Sequence, residues 1–288
     1  DFFQIEREII ESAGGSLLVK KASNPKERAD LLKSANAVLV GGAKIDGDLL
    51  DHCSDLQLII RYGVGLDSLD IPAATERGVV VAHYPDFCQP EVANHALLLL
   101  LSVARKVVAH DRSIREGNYR GVPLGYSPPL TGETLGIIAL GNIGRQMATR
   151  AQGIGMNVMA FDPYLSDSVF GEIGATRAQS MEELLELSDH VTIHTPLNDE
   201  TRGLINEAAF RRMKPTAIYV NTARGPVHNQ EDLVNALESG EIFGAGLDVF
   251  DPEPLSADSK LATMDNVVLT PHTAFYSERS NTNIKNRV

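Results

Sequence analysis

Short apolar runs alternate with amphipathic stretches along almost the whole chain. Runs of β-branched and other apolar residues predict strands at positions 17–19, 37–40, 58–60, 79–82, 135–140, 157–161, 190–194, 217–221, 243–249 and 267–269. Apolar residues at helical spacing predict intervening helices, with clear examples at positions 25–34, 145–154, 181–187 and 230–238. Strands that alternate with helices are typical of a parallel sheet covered on both faces. The pattern therefore predicts the α/β fold class.

One longer helical stretch divides the chain into two α/β units. It covers positions 91–116, with Pro90 at its entry and Gly117 at its exit, as helix ends favour. Positions 118–130, which are rich in Gly, Pro and Tyr, predict an ordered arm before the next strand. The chain opens directly on a helical pattern at Asp1, so we expect an initial strand, and with it the true N-terminus, to be missing.

Composition narrows the classes of function. The 288 residues carry a formal net charge of −12 at pH 7, which argues against nucleic acid as a main partner because phosphate binding needs a basic face. Cys53 and Cys88 form no C-x-x-C motif and predict free thiols in a reducing, cytoplasmic setting. The apolar run 97–101 lies among polar residues, so no membrane span is expected. No cluster of side chains has the spacing of a metal site, so no metal is expected.

A glycine turn after the strand at 135–140 predicts a phosphate-binding site. Gly141 and Gly144 match the last two glycines of the G-x-G-x-x-G fingerprint, and Ala139 replaces the first. Gly141 lets a pyrophosphate approach the backbone, and Gly144 lets the helix pack closely on the strand. The helix N-terminus adds N–H groups and a partial positive charge. Ala139 can replace glycine provided that its backbone is not left-handed.

An acid at the end of the next strand completes the fingerprint. Asp162 follows the strand at 157–161 and lies about 20 positions after Gly141. Its carboxylate would accept hydrogen bonds from ribose hydroxyls and would repel a 2′-phosphate. Strand, turn, helix, strand and acid in this order predict a dinucleotide site that prefers NAD to NADP. The alternative is a packing turn followed by an ordinary loop aspartate.

Three further motifs supply an arginine, a glutamate and a histidine. Each follows a predicted strand: Arg224, Glu253 and His272. Ligands bind beyond the carboxyl ends of strands in open parallel sheets, so the three side chains are expected at one edge. Reduction of a 2-oxo acid needs a cation for the carboxylate and a proton donor, and Glu253 would stabilise the protonated imidazole. Each residue alone could be an ordinary loop residue, and His95, in an apolar helix, is interpreted as a packed residue.

Together the motifs resemble the D-isomer-specific 2-hydroxyacid dehydrogenases over essentially the whole chain. The segments that carry the resemblance are 61–67, 221–225, 248–254 and 271–272. The resemblance implies two Rossmann-like domains with parallel sheets, in which the cofactor domain is inserted into a flavodoxin-like substrate domain. It places the substrate domain at residues 1–92 plus 277–288 and the NAD-binding domain at 93–276. It also implies a homodimer, formed largely through the long helix and the arm.

The resemblance also implies a role for each matching residue. Catalysis would rest on His272, Glu253 and Arg224. A small 2-oxo or D-2-hydroxy acid would bind to Tyr62, Gly63, Val64, Gly65 and Arg224. NAD would bind to Gly141, Asn142, Ile143, Gly144, Asp162, Thr195, Pro196, Thr201, Thr222, Ala223, Asp248, His272 and Ala274. The implied activity is hydride transfer between the nicotinamide and the substrate, as in glyoxylate or hydroxypyruvate reduction, with His272 as acid and base.

The match is closest to the branch related to C-terminal-binding proteins, and it leaves two alternatives open. Segments 91–97 and 272–277 carry the likeness to that branch. Asn142 stands where many members have Arg, and Phe275 stands where the corepressor members often have Trp. One alternative is a corepressor-like protein that senses NADH and binds peptides. The other is 3-phosphoglycerate dehydrogenase.

Overall fold

The computed structural model describes residues 3–22, 24–119 and 125–287 and divides the chain into two compact units. Unit 1 comprises Asp1–Cys88 and Tyr276–Val288, and unit 2 comprises Gln89–Phe275. The boundary expected at 92/93 falls inside the first turn of a helix that begins at Gln89. Backbone hydrogen bonds keep that turn with the rest of its helix, so residues 89–92 stay in unit 2.

Unit 1 is built around a three-stranded parallel sheet in the order β1-β2-β3. Its strands are β1 (Ala37–Val40), β2 (Leu58–Arg61) and β3 (Val80–His83). Its helices are α1 (Gln4–Ser12), α2 (Pro25–Leu32), α3 (Gly47–Leu50), α4 (Ile71–Glu76) and α12 (Glu278–Arg287). Side chains cap the first backbone N–H groups of three helices: Asn24 for α2, Asp46 for α3 and Asp70 for α4.

The strand predicted at 17–19 is wrong. These residues have no regular secondary structure, and Leu18 is 65% exposed. A short apolar run becomes a strand only when a neighbouring strand supplies backbone partners. In the described part of unit 1 the sheet extends only from β1 to β3. The Leu17 carbonyl oxygen instead accepts a hydrogen bond from Arg7 Nη1 at 3.4 Å.

Unit 2 contains a seven-stranded parallel sheet in the order β10-β9-β8-β7-β4-β5-β6. Its strands are β4 (Thr134–Ile138), β5 (Asn157–Phe161), β6 (Thr176–Arg177), β7 (His190–Ile193), β8 (Ile218–Asn221), β9 (Gly244–Leu247) and β10 (Val267–Leu269). Its α-helices are α5 (Gln89–Ala104), α6 (Val107–Arg115), α7 (Asn142–Gly153), α8 (Asp167–Ile173), α9 (Met181–Leu187), α10 (Glu207–Arg212) and α11 (Gln230–Ser239). The strand order reverses beside β4, which creates a crevice at the carboxyl edge. The predicted α/β fold class is confirmed.

The single long helix predicted at 91–116 is wrong, because two helices occupy this stretch. α5 ends at Ala104, α6 begins at Val107, and the two are bent by 63°. Lys106 between them has φ 51°, a left-handed conformation that a continuous α-helix does not contain. The Lys106 ammonium lies 5.3 Å from the centre of the Phe243 ring, a cation–π contact that stabilises the bend. In the described ranges no single helix is long and apolar enough to cross a membrane, and only α5 and α6 taken together pass that test.

The arm predicted at 118–130 is described in part. Residues 120–124 lie outside the described residues, and 125–130 form neither helix nor strand. Tyr126 packs edge-on against Phe243, with ring centres 6.0 Å apart. An edge-to-face aromatic contact of this kind stabilises a segment that lacks strand pairing.

Helix α5 packs on β8, β9 and β10 with a regular register. A Cβ atom at Gly244 would lie 2.8 Å from Val103, and one at Gly246 would lie 2.7 Å from the Leu99 Cβ atom. Four helical residues rise about 6 Å, close to the roughly 6.6 Å that two strand residues span. The helix therefore steps by four residues while β9 steps by two in the opposite direction. Glycine in β9 allows this close approach.

Gly246→Ala is expected to destabilise the protein because the new methyl group would overlap Leu99. Overpacking a rigid core costs about 1–3 kcal/mol. Gly171→Ala in α8 is the matched control, since nothing lies within 4 Å of its Cβ position and alanine favours a helix over glycine. Calorimetry should show a lower Tm for Gly246→Ala and an equal or higher Tm for Gly171→Ala. An unchanged Tm for Gly246→Ala would contradict the close packing.

Candidate active site

The glycine turn joins β4 to α7 at the carboxyl edge of the unit 2 sheet. Gly141 is the N-cap of α7, so the first helical turn directs backbone N–H groups towards this edge. A Cβ atom at Gly144 would lie 2.3 Å from the Ala139 carbonyl oxygen, so only glycine fits there. Alanine was expected to replace the first glycine only if its backbone was not left-handed. Ala139 has φ 71°, which is left-handed, so this expectation is wrong. The fold keeps the left-handed turn and places an alanine in it under strain.

Asp162 lies just after β5, beside the same turn. Its two carboxylate oxygens accept hydrogen bonds from the backbone N–H groups of Leu140 and Tyr164, each at 3.0 Å. These bonds hold the carboxylate against the turn between β4 and α7, where the fingerprint needs its acid. A carboxylate has about four lone-pair sites, so Asp162 retains the capacity to accept hydrogen bonds from ribose hydroxyls.

Two buried hydroxyl groups indicate that a polar ligand fits this edge. The Oγ1 atoms of Thr195 and Thr222 are buried and have no hydrogen-bond partner in the part of the chain that the structure describes. Buried polar groups are seldom left unpaired in native proteins, so such atoms point to a missing partner. Beside Thr195, the Thr201 hydroxyl donates to the Pro196 carbonyl oxygen at 2.6 Å and shapes the loop after β7. A dinucleotide, with its many polar groups, fits these residues.

A hydrogen-bonded turn after β8 presents Arg224. The Asn221 side chain accepts from the Ala223 N–H and donates to the Arg224 carbonyl oxygen, both at 2.9 Å. Asn221 Nδ2 also lies 2.9 Å from Nδ1 of His228. Burial lowers the pKa of His228 to about 4, so the imidazole is neutral at physiological pH and Nδ1 accepts this bond. The Arg224 guanidinium donates to the Ala223 carbonyl oxygen at 2.7 Å.

The Arg224 turn lies directly against the segment that carries Glu253. A Cβ atom at Gly225 would lie 1.9 Å from the Phe250 carbonyl oxygen, so a larger residue would force the two segments apart. Glu253 Oε1 accepts from the Phe250 N–H at 3.0 Å. Glu253 Oε2 lies 2.8 Å from His272 Nδ1. The structure thus brings the arginine, glutamate and histidine predicted from the sequence to one place within unit 2.

The neighbours of Glu253 keep its carboxyl group ionised. Burial acts to raise its pKa, but the hydrogen bonds with His272 and with the Phe250 N–H, together with the charge of Arg224, lower the pKa below its ordinary value. An ionised carboxylate only accepts hydrogen bonds, so His272 Nδ1 carries the hydrogen of this pair. Nε2 of His272 is then the nitrogen available for proton transfer.

The buried carboxylate of Asp248 holds the turn that carries His272. Asp248 Oδ1 accepts from the Thr270 hydroxyl at 2.6 Å and from the Thr273 N–H at 2.9 Å. Asp248 Oδ2 accepts from the Ala274 N–H at 2.8 Å. The His272 N–H donates to the Asp248 carbonyl oxygen at 2.8 Å. These bonds stabilise the left-handed backbone of His272, whose φ is 54°.

In unit 1, the loop after β2 is held by its own carbonyl groups. Arg61 Nε donates to the Gly65 carbonyl oxygen at 3.1 Å, and Arg61 Nη1 donates to that of Tyr62 at 2.8 Å. His83 Nδ1 lies 3.0 Å from the Val64 carbonyl oxygen, which only accepts, so the imidazole is the donor. A loop whose carbonyls are bound in this way can present its N–H groups to an anion.

Sequence reasoning assigned no role to several residues that support these loops. Arg61 and His83 bind the carbonyls of the loop after β2, and His228 supports Asn221. Arg61 begins the segment 61–67 that carries the family resemblance, but the resemblance implies no role for its side chain, and His83 and His228 lie outside the matching segments. Arg61 and His83 are each the last residue of a strand. A polar residue at the carboxyl end of a predicted parallel strand is the signal that could have found them.

The glycine turn, the acid after β5 and the acid–base pair on a parallel sheet define a dinucleotide-dependent oxidoreductase of the Rossmann type. Residues 97–274 match the family model described as D-isomer specific 2-hydroxyacid dehydrogenase, NAD binding domain. The chain belongs to this family and contains its NAD-binding domain. Within the described ranges, no group of three or more His, Cys, Asp or Glu residues is arranged to hold a metal ion.

Several relatives are similar over most of the chain. The glyoxylate reductase of Korarchaeum cryptofilum is 41% identical over 241 residues, which cover 82% of this chain and 72% of the relative. The D-3-phosphoglycerate dehydrogenase of Archaeoglobus fulgidus is 39% identical over 242 residues, which cover 84% of this chain but only 45% of that longer protein. A similar solved structure is that of D-lactate dehydrogenase from Aquifex aeolicus, complexed with NAD and lactic acid. Its TM-score is 0.86 at 28% sequence identity, and the match covers 99% of this chain and 90% of that chain.

These similarities confirm the predicted family and its NAD cofactor. The relatives named as reductases and dehydrogenases do not single out the branch related to C-terminal-binding proteins. The likeness to that branch, carried by segments 91–97 and 272–277, stays a prediction.

Ala139→Gly is expected to stabilise the protein because glycine adopts a left-handed conformation without steric cost. The gain is at most about 1–2 kcal/mol, reduced by the greater freedom of glycine in the unfolded chain. Ala139→Val is the opposite control, since a β-branched residue is more strained there. Thermal unfolding should rank the Tm values as Gly above Ala above Val. A Tm for Ala139→Gly below that of the wild type would refute the strain.

Proposed function

We propose that this protein is an NAD-dependent reductase of small 2-oxo acids that forms D-2-hydroxy acids. The observation that carries the proposal is the 2.8 Å hydrogen bond between His272 Nδ1 and Glu253 Oε2 at the carboxyl edge of an NAD-binding sheet. When bound, NADH supplies the hydride that reduces the carbonyl carbon. The protein must then supply a proton for the carbonyl oxygen and a site for the carboxylate.

His272 is the proposed acid and base. Glu253 accepts the Nδ1 hydrogen, which fixes the ring orientation and leaves Nε2 to give a proton to the carbonyl oxygen. The lowered pKa of Glu253 keeps its carboxylate ionised beside the ring, so it remains an acceptor for the Nδ1 hydrogen. In the reverse direction Nε2 removes the hydroxyl proton.

The proposed donors for the substrate carboxylate are Arg224 in unit 2 and the loop after β2 in unit 1, and each is considered by itself. The Arg224 guanidinium can form two parallel hydrogen bonds with a carboxylate, and it also polarises a neighbouring carbonyl group. The backbone N–H groups of Val64 and Gly65 would add donors, because Arg61 and His83 already bind carbonyl oxygens of this loop. Tyr62 and Gly63 would shape the loop instead, since their N–H groups donate to the Val40 and Arg61 carbonyl oxygens.

The proposed cofactor contacts follow the carboxyl edge of the unit 2 sheet. The N–H groups of the α7 N-terminus, from Gly141, Asn142, Ile143 and Gly144, would bind the pyrophosphate. The remaining residues fall into two sets: Asp162, Thr195, Pro196 and Thr201 for the adenosine side, and Thr222, Ala223, Asp248 and His272 for the nicotinamide side. Asp248 Oδ2 accepts one described hydrogen bond, from Ala274, and so retains a lone pair for an amide donor. Ala274 would act through Asp248, because its N–H is bound there.

Relatives support small 2-oxo acids, such as glyoxylate and hydroxypyruvate, as the proposed substrates. The chain covers 72% of the archaeal glyoxylate reductase, which makes it the better-matched relative in length. 3-Phosphoglycerate dehydrogenase stays the second candidate, because the relative of that name is 39% identical. The corepressor-like alternative predicts NADH binding without turnover.

His272→Asn is expected to lower kcat at least ~100-fold, because the proton donor is lost. Its Kd for NADH, measured by fluorescence titration, should rise far less than kcat falls, because His272 is one of many proposed cofactor contacts. NADH oxidation should be measured with glyoxylate, hydroxypyruvate, pyruvate, phenylpyruvate and 3-phosphohydroxypyruvate. His52→Asn, at an exposed position of unit 1, is the matched control and should retain full activity.

The ranking of the substrates decides between the candidates. Preference for glyoxylate or hydroxypyruvate supports the proposal, whereas preference for the phosphorylated acid favours the second candidate. Tight NADH binding by the wild type without turnover of any acid would refute the proposed reductase function and favour the corepressor-like alternative.

We also propose a homodimer in a reducing, cytoplasmic setting. Four large apolar side chains on α5 and α6 are 45–54% exposed: Leu98, Val107, Val108 and Ile114. An exposed apolar group of this kind is typical of a protein–protein contact. The reducing setting is supported by Cys53 and Cys88, which are both buried free thiols.

Val107→Asp combined with Ile114→Asp is expected to produce a monomer, because two buried charges would face each partner. The matched control is Leu187→Asp on α9, where a leucine is 50% exposed on another helix. Size-exclusion chromatography with light scattering should give twice the 31.2 kDa chain mass for the wild type and the control. A wild type that elutes as a monomer would contradict the dimer.

A further inference from the structure

His95 continues the packing register between α5 and β9. Val103 lies against Gly244, and Leu99, one helical turn nearer the N-terminus, lies against Gly246. Four residues further towards the N-terminus of α5 lies His95. Two residues beyond Gly246, just after the end of β9, lies Asp248. Their side chains do meet, with 3.6 Å between His95 Nε2 and Asp248 Oδ1. The packing of α5 on β9 therefore places the His95 imidazole at the carboxyl edge of the unit 2 sheet.

A hydrogen-bond chain connects His95 to Asp248 through Thr270. The Thr270 hydroxyl donates its single hydrogen to Asp248 Oδ1 at 2.6 Å. His95 Nε2 lies 2.8 Å from the same hydroxyl oxygen. Because the hydroxyl hydrogen is already used, His95 Nε2 must be the donor in this contact. The direction of hydrogen-bond donation is thus fixed: His95 donates to Thr270, and Thr270 donates to Asp248.

The far end of this chain is the turn that carries His272. Asp248 binds the N–H groups of Thr273 and Ala274, the two residues that follow the histidine. His95 itself is partly buried, with 17% of its side chain exposed, so its bond to Thr270 is shielded from water. Rotation of the Asp248 carboxylate would release both N–H groups, and the bond from Thr270 resists that rotation.

We propose that His95 is a positioning residue for the reaction, which holds the Asp248 carboxylate and the His272 turn through Thr270. This role rests on the proposed function, in which His272 transfers the proton. His95 contacts neither of the catalytic partners Glu253 and His272 in the described hydrogen bonds, so its effect is transmitted through Asp248. The interpretation of His95 as only a packed residue predicts a loss of stability without a specific loss of turnover.

Two substitutions at His95 separate these alternatives. The glutamine side chain of the His95→Gln variant would place an amide N–H donor close to the position of the imidazole Nε2, so this variant should keep kcat within about threefold of the wild type. His95→Leu introduces an apolar side chain of similar bulk that donates no hydrogen bond. Its kcat for glyoxylate should fall about tenfold. Tm should be measured for both variants, and rates should be compared well below the lower Tm.

A double-mutant cycle tests whether Thr270 transmits the effect. Thr270→Val removes the hydroxyl and should lower kcat about as much as His95→Leu. The combined His95→Leu and Thr270→Val variant should be no slower than either single variant within about twofold, because both break one chain. Losses that multiply would overturn the proposed chain. Equal losses in His95→Leu and His95→Gln, or unchanged kcat in His95→Leu, would overturn the role of His95.

Amide hydrogen exchange provides a readout that does not depend on turnover. The Thr273 and Ala274 N–H groups should exchange faster in His95→Leu than in the wild type and in His95→Gln. The Ala209 N–H, which is bound by Asn206 at the start of α10, is the internal control and should be unaffected. If the wild type reduces no 2-oxo acid, the proposed function fails, and the exchange rates still decide whether His95 positions the turn. Equal exchange in all three proteins would refute the positioning role.

Discussion

The hydrogen bonds of the buried Asp248 carboxylate determine the geometry of the site. Asp248 follows β9 and is fully buried, where a carboxyl group is stable only when its oxygens are hydrogen-bonded. Its partners are the Thr270 hydroxyl and the N–H groups of Thr273 and Ala274. Those N–H groups belong to the turn around His272, so satisfying the buried group and placing the histidine are one requirement. The position of His272, the proposed proton donor, therefore depends on the hydrogen bonds that the buried carboxylate requires.

Close approach between backbones brings the other parts of the site to the same edge. Glycine makes this possible at Gly225, where a Cβ atom would strike the Phe250 carbonyl oxygen, and at Gly246, where one would strike Leu99. The first contact sets Arg224 beside the segment of Glu253, and the second sets α5 against β9. Since β8, β9 and β10 are neighbours in a parallel sheet, their carboxyl ends present the three motifs side by side.

Family membership and local geometry limit the chemistry in different ways. Membership in the D-isomer-specific 2-hydroxyacid dehydrogenases indicates NAD and a hydride transfer. The geometry adds that the ionised Glu253 accepts from His272 Nδ1, so Nε2 is the nitrogen that the proposed proton transfer uses. Relatives of similar identity include both a glyoxylate reductase and a phosphoglycerate dehydrogenase.

The sequence alone determined the α/β class, the glycine turn, the acid after β5 and the three catalytic candidates. These features are readable because they depend on local spacing and on the fixed direction of strand ends in a parallel sheet. The sequence pattern gave wrong predictions at two places. No strand forms at 17–19, because a strand needs an adjacent strand for backbone pairing, and two helices replace one at 91–116, because the backbone bends at Lys106. Only the tertiary structure decided that Ala139 is left-handed and that His95 reaches Asp248. The Ala139 N–H donates to the Phe161 carbonyl oxygen at the end of the next strand, and His95 reaches Asp248 through the packing of α5 on β9, so both features depend on residues far apart in the chain.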